Sequence, residues 1–144
     1  GMDVASKVLI VAREVGMELE LADIEVMPVI EEGFAAEAPI AELPAHLEAL
    51  DAGFAERIEA ARLKGEVLRY VGRIAQGRCR VSIESVPADK PLGSIRDGEN
   101  ALVMNTDYYQ PIPMVLRGYG AGAEVTAAGV YADVLRTAWR PLDY

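Results

Sequence analysis

A change of hydrophobic period at Gly65 constrains this chain more than any other feature. Before it, the apolar residues recur at helical spacing. After it they alternate: Val67, Arg69, Val71 and Arg73 fall on one parity, and Leu68, Tyr70 and Ile74 on the other. Successive side chains of a strand point to opposite faces, so this segment predicts a strand with one polar-rich end. Gln76-Gly77 turns the chain, and Cys79 to Val86 returns as the second arm of a hairpin.

Around that hairpin the pattern predicts a helix over 3–15, with Val4, Val8, Val11 and Val15 in its apolar stripe, Leu9 and Ala12 widening it, and Gly16 as its stop. Leu21 to Val29 predicts a strand, ended by Pro28 and a Glu31-Glu32-Gly33 turn. Two helices follow over 42–49 and 51–64, the second carrying Phe54, Ile58, Ala61 and Leu63 and closed by Gly65. Past the hairpin, Pro87, Asp89, Pro91 and Gly93 make a loop. Strands are expected over 100–106 and 114–117, joined by an extended, proline-rich Tyr108–Pro113. A long helix over 125–139, roughly 22 Å at 1.5 Å per residue, comes last. This order implies an α+β fold with a mixed, mostly antiparallel sheet and helices on one face. The last helix carries apolar residues on more than one side and calls for cover on both, which nothing else in the chain supplies.

The 144 residues suffice for a domain with a real core. A formal charge of -9 repels phosphate backbones and argues against a nucleic-acid partner. No long apolar run or basic leader stands out, so neither a membrane span nor a signal peptide is expected, and the cytoplasm is the expected location. With one cysteine, Cys79, no internal disulfide can form, and Cys79 shares its strand parity with Val81 and Ile83 as a core residue. One cysteine and one histidine, His46, also leave no usual zinc ligand set, so no metal site is expected.

Three stretches could carry chemistry. Asp3 and Lys7 are four apart and share one helix face. They read either as an exposed ion pair or as a lysine held near a reacting oxygen with a carboxylate beside it for a substrate ammonium. Arg117-Gly118-Tyr119-Gly120-Ala121-Gly122 follows a strand and opens a helix, where glycines let backbone approach a ligand and free N–H groups attract anions. Its spacing is not the dinucleotide fingerprint, and a tight strand-to-helix turn explains it equally. Asn100, at a strand start, reads as a turn cap or a bridge to a neighbour.

Taken together and in order, these stretches resemble one family. Asp3-x-x-x-Lys7 and the helix after it are similar to the end of the homoserine dehydrogenase signature, Gly-x-Asp-x-x-x-Lys. Gly1 falls at the signature's glycine, but Gly1-Met2 also reads as an artificial start, so no weight rests on it. Leu21–Val26, Val67–Gly72, Gly98–Leu102, Tyr108–Pro113, Val115–Gly122 and Val125–Asp133 look like the form found in bifunctional aspartokinase–homoserine dehydrogenases, the Arg-Gly-Tyr glycine loop above all.

The resemblance implies NADPH- or NADH-dependent reduction of aspartate 4-semialdehyde to homoserine, on the path to threonine and methionine. It implies Lys7 as the catalytic lysine, Asp3 as the carboxylate that binds the substrate ammonium, and Gly122 as a glycine at the edge of the cofactor, NADP or NAD. It further implies a catalytic and dimerisation domain over 1–116, N-terminally truncated, and a segment over 117–144 that returns to a nucleotide-binding domain. That nucleotide-binding half, a glutamate and an aspartate upstream of Gly1, and the aspartokinase regions lie outside the sequence. The isolated chain is therefore expected to be inactive and to form a homodimer. Competing readings are a stand-alone oligomerisation module and an unrelated small-ligand-binding α+β module.

Overall fold

The computed structural model describes residues 1–30, 33–34 and 37–139. Glu31 and Glu32, expected in a turn, and the 140–144 end of the second expected segment lie outside the described residues. The chain divides into two compact units, Gly1–Gly93 and Ser94–Tyr144.

The first unit is built on the hairpin. β2 (Glu66–Ala75) pairs antiparallel with β3 (Arg78–Pro87), with Gly72 opposite Val81 and Tyr70 opposite Ile83. Gln76 and Gly77 both take positive φ, 52° and 73°, as a two-residue turn must if its twist is to match the strands it joins. Tyr70, Gly72, Ile74, Cys79, Val81 and Ile83 thereby share one face. Onto it packs α1 (Met2–Glu14) through Ala5, Val8 and Ala12, and Ala5, Ala12 and Val81 are fully buried. Cys79 is buried in this cluster as its parity predicts, and burial pushes its thiol pKa up.

The expected strand over 21–29 shrinks to β1 (Glu25–Val26), parallel to β3. Its first half is instead a 3-10 turn, Leu21–Asp23. Asp23 causes this: its carboxylate accepts from the Glu20 backbone N–H at 2.7 Å, while the Glu20 side chain accepts in return from the Asp23 backbone N–H. A short acidic side chain that bonds the nearby backbone offers it an alternative to the sheet ladder.

Before the hairpin, a 3-10 turn (Ile40–Glu42) leads into α2 (Leu43–Glu48) and α3 (Asp51–Arg62). The sequence places one long helix stripe on α3, but only Ala61 is buried, and Ile58 and Leu63 stand exposed. Between Phe54 and Ile58 of α3 and Leu68, Tyr70 and Ile83 of the sheet lies an open cavity of about 510 Å³. On the other face of the hairpin, the Arg69 guanidinium donates to the carbonyls of Leu92 and Gly93 and ties down the loop after β3. Gly93 is needed there, because a Cβ would stand 2.0 Å from the Pro87 carbonyl oxygen.

The second unit holds β4 (Glu99–Met104) and β5 (Met114–Tyr119), an antiparallel pair, and α4 (Ala123–Trp139). The sheet foreseen as one is thus two, a three-stranded mixed sheet and a two-stranded ribbon. The α+β class and the antiparallel majority stand. None of residues 94–139 is buried, and α4 exposes Val125, Val130, Tyr131, Val134 and Trp139.

Two neighbours on β3 give opposite predictions. Val81, fully buried under α1, loses packing in Val81→Ala, which lowers unfolding stability by roughly 1–3 kcal/mol in denaturant titration. Ser82 points to the other face, 2% exposed, with its hydroxyl unpartnered among the described residues. Ser82→Ala removes an unsatisfied polar atom and is expected to leave stability unchanged or raised in the same titration.

Candidate functional site

α1 presents two faces with different tasks. Its inner stripe of Ala5, Val8 and Ala12 is sunk against the sheet, which leaves Asp3 and Lys7 on the outer side of the first two turns. The Lys7 Nζ donates to Asp3 Oδ2 at 2.8 Å, with the two side chains 62% and 80% exposed. As an isolated pair in water this contact contributes on the order of 0.3 kcal/mol. Its interest is geometric. One carboxylate and one ammonium are held together on a rigid element, facing outward, each able to exchange its partner for a charged ligand. The helix adds its own field, since Asp3 sits in the first turn, where negative charge is favoured.

Gly122 belongs to the second unit, at the entry to α4. Its φ of +134° is one that side-chain-bearing residues rarely adopt, and a Cβ built there would meet no atom within 4 Å. The demand for glycine within the chain is thus conformational, and the space beside it is open. Thr126 N–H reaches back to the Gly122 carbonyl at 3.0 Å to start the helix. The N–H groups of the first turn ahead of it have no intrahelical acceptor and face the loop.

The neighbouring glycine has a different reason. A Cβ on Gly120 would stand 1.7 Å from Nδ2 of Asn100 and 2.4 Å from its Cγ. What approaches the backbone at Gly120 is the side-chain amide of Asn100, from β4. The base of the ribbon is tied by an interaction that spacing alone does not reveal. Arg117 donates to Glu99 and to the Ser94 carbonyl, and Glu99 also accepts from the Arg96 backbone N–H at 2.8 Å. Glu99 and Arg117 lie 18 apart in sequence and meet through the β4–β5 register, which pairs Glu99 with Tyr119 and Ala101 with Arg117. The Arg117 guanidinium, helped by the Arg96 N–H, holds the Glu99 carboxyl below its ordinary range.

Neither Asp3 nor Lys7 lines the cavity beneath α3. Among the described residues, no cluster of three or more His, Cys, Asp or Glu is arranged to hold a metal, and no helix is long and apolar enough to cross a membrane.

The homoserine dehydrogenase family model matches residues 1–135, and the chain belongs to that family. The bifunctional aspartokinase/homoserine dehydrogenase of Haemophilus influenzae is 55% identical over 137 residues, 95% of this chain and 17% of that protein. A chloroplastic bifunctional relative from Zea mays is 40% identical over 96% of the chain and 15% of its own length. Among solved structures, a Candida auris protein of unknown function superposes with a TM-score of 0.86 at 36% identity, over 97% of this chain and 40% of that one. A putative homoserine dehydrogenase from Archaeoglobus fulgidus gives 0.68 at 25% identity, over 95% and 35%. The chain therefore spans about a sixth of the length of the curated relatives it matches.

Because the folded-state pKa of Glu99 lies below its unfolded value, its contribution to stability is present above the ordinary carboxylate range and lost as pH falls through the lowered value. NMR of the β4–β5 amides during acid titration should show the ribbon loosening in that acidic window. Glu99→Gln should remove that titration step; an unchanged profile in the variant refutes the assignment.

Proposed function

We propose that this chain is the substrate-side part of an NAD(P)H-dependent homoserine dehydrogenase, of the kind fused to aspartokinase in its relatives. The observation that carries the reading is the Asp3–Lys7 pair, held 2.8 Å apart on the outward face of a helix whose inner face is locked into the core. The substrate, aspartate 4-semialdehyde, has an aldehyde at one end and an ammonium and carboxylate at the other. On binding, the substrate ammonium takes the place of Lys7 as partner of Asp3. The Lys7 Nζ is then free to donate to the aldehyde oxygen and to deliver the proton that turns the forming alkoxide into the hydroxyl of homoserine. A bound NADPH or NADH supplies the hydride to the aldehyde carbon. Charge placed beforehand where the alkoxide develops is worth more than charge recruited from water.

The residues of the glycine loop fit an edge contact with such a cofactor. Gly122 has a backbone conformation suited to glycine and open space where a Cβ would be, next to first-turn N–H groups without an internal acceptor. In this reading residues 1–116 form the catalytic and dimerisation part, and 117–144 return to a nucleotide-binding domain that covers α4, whose apolar side chains stand exposed. The choice between NADP and NAD is made in that other domain. The fused regions and the nucleotide-binding half are the partners we assign, and the cytoplasm the location for a bacterial member.

An oligomerisation role is favoured by the ribbon. Leu102 and Leu116 face each other across β4–β5 and both stand exposed, with Met104 opposite Met114 two residues on, on the same face. A two-stranded ribbon is marginal in water, and a second copy would cover this face. A sedimentation experiment is expected to find a homodimer, and a monomer at high concentration excludes it.

Function is tested by mixing the chain with a separately made nucleotide-binding half and following NADPH oxidation with aspartate semialdehyde. Activity should appear only on mixing. Lys7→Ala should lower kcat by about a hundredfold or more, within the usual range for a proton donor, and Asp3→Asn should act mainly on KM. Folded, associated halves without activity would falsify the enzymatic reading and leave Asp3 and Lys7 an ordinary surface pair.

A further inference from the structure

The depth at which α1 sits on the sheet is fixed by two close approaches. A Cβ on Gly72 would stand 2.4 Å from Cγ2 of Val8 and 3.4 Å from Cγ1 of Val4. A Cβ on Gly1 would stand 2.1 Å from the Tyr70 hydroxyl oxygen and 2.7 Å from Cγ1 of Val26. Neither neighbour can step aside cheaply. Val8 is 7% exposed within a helix, where a β-branched side chain holds essentially one χ1 rotamer. Tyr70 is tied by its hydroxyl, which donates to the Met27 carbonyl at 3.1 Å. The helix is therefore pressed against the strand at the one β2 position without a side chain, with Gly1, the residue just before it, against the Tyr70 hydroxyl.

The two α1 residues that meet Gly72 are the sequence neighbours of the outward pair: Val4 follows Asp3, and Val8 follows Lys7. A rigid helix transmits what happens on its inner face to its outer face, so lifting Val8 off the strand carries the Lys7 ammonium and the Asp3 carboxylate with it. Close-packed interiors respond to added volume by shifting elements, because they hold no spare space.

We propose that Gly72, with Tyr70 as the second stop, is a positioning residue for the Asp3–Lys7 pair. By having no side chain it sets how far the pair stands from the sheet, and so where the ammonium meets the substrate oxygen. This rests on the reading of Lys7 given above. In proton delivery, a displacement on the order of 1 Å lowers rate by up to about a hundredfold.

Gly72→Ala is compared with Gly72→Ala/Val8→Ala, in which the Cγ2 that the new methyl would strike is removed. In the chain alone, NMR contacts between α1 and residue 72 should weaken in the single variant and return in the double. In the reconstituted two-part enzyme, Gly72→Ala should lower kcat by about tenfold or more, with NADPH affinity unchanged, and the double variant should recover most of the loss. Val86→Ala, a core truncation on the other strand parity, serves as the control and should lower stability with kcat unchanged. Should Gly72→Ala not fold, Val8→Leu lengthens the other side of the same contact and should lower kcat in the same sense.

Wild-type kcat in a folded Gly72→Ala overturns the proposal, and so does a double variant that reseats α1 without regaining rate. If the wild-type halves show no dehydrogenase activity, it is the functional reading that fails. The NMR arm then decides the seating of the helix by itself, and an unmoved α1 in Gly72→Ala overturns it.

Discussion

The contact between α1 and the β2–β3 hairpin is the one on which the first unit depends. It buries Ala5, Val8 and Ala12 against Cys79 and Val81, with Tyr70 and Ile74 packed at its margin. The residues that go deepest are small, and the strand they approach offers Gly72 where the helix passes closest. Small residues give up contact area per side chain, but they let two backbones approach, and the approach brings the larger flanking side chains, Val4, Leu9 and Val26, into the same cluster. The same contact turns Asp3 and Lys7 outward, so the packed face and the ion pair lie on opposite sides of one helix.

The second unit follows another logic. Its ribbon is held by backbone pairing and by Arg117, Glu99 and Ser94, and none of its residues from 94 to 139 is buried. Apolar side chains that stay in water forgo about 25 cal/mol for each Å² they could have buried. α4 leaves three valines, a tyrosine and a tryptophan exposed together. The first unit has its own buried core, and among the described residues of the second none is buried.

The resemblance and the geometry carry different parts of the account. Colinear similarity assigns the family and says nothing of why Gly72 or Gly120 must be glycine. The structure supplies those reasons: Val8 stands against the first and the Asn100 amide against the second. For Gly122 the reason is its positive φ with empty space alongside, a different constraint under the same residue type.

The sequence by itself determined what depends on neighbours a few residues away. The alternation after Gly65, the Gln76-Gly77 turn, the helix carrying Asp3 and Lys7 on one side, and the apolar excess of the last helix all follow from periods and turn chemistry, which are local. Tertiary structure decided what depends on partners far along the chain. The stripe read from large side chains on α1 centred on Val4, Val8, Val11 and Val15, yet Val15 stands exposed past the helix end and Ala5 and Ala12 go deepest, packed with Val8 against strands some sixty or more residues away in sequence. The strand foreseen over 21–29 was shortened by the Asp23 cap, a bond that competes with the ladder and leaves no trace in hydrophobic period. The Glu99–Arg117 tie and the division into two sheets arise from strand register, which one-dimensional pattern does not encode.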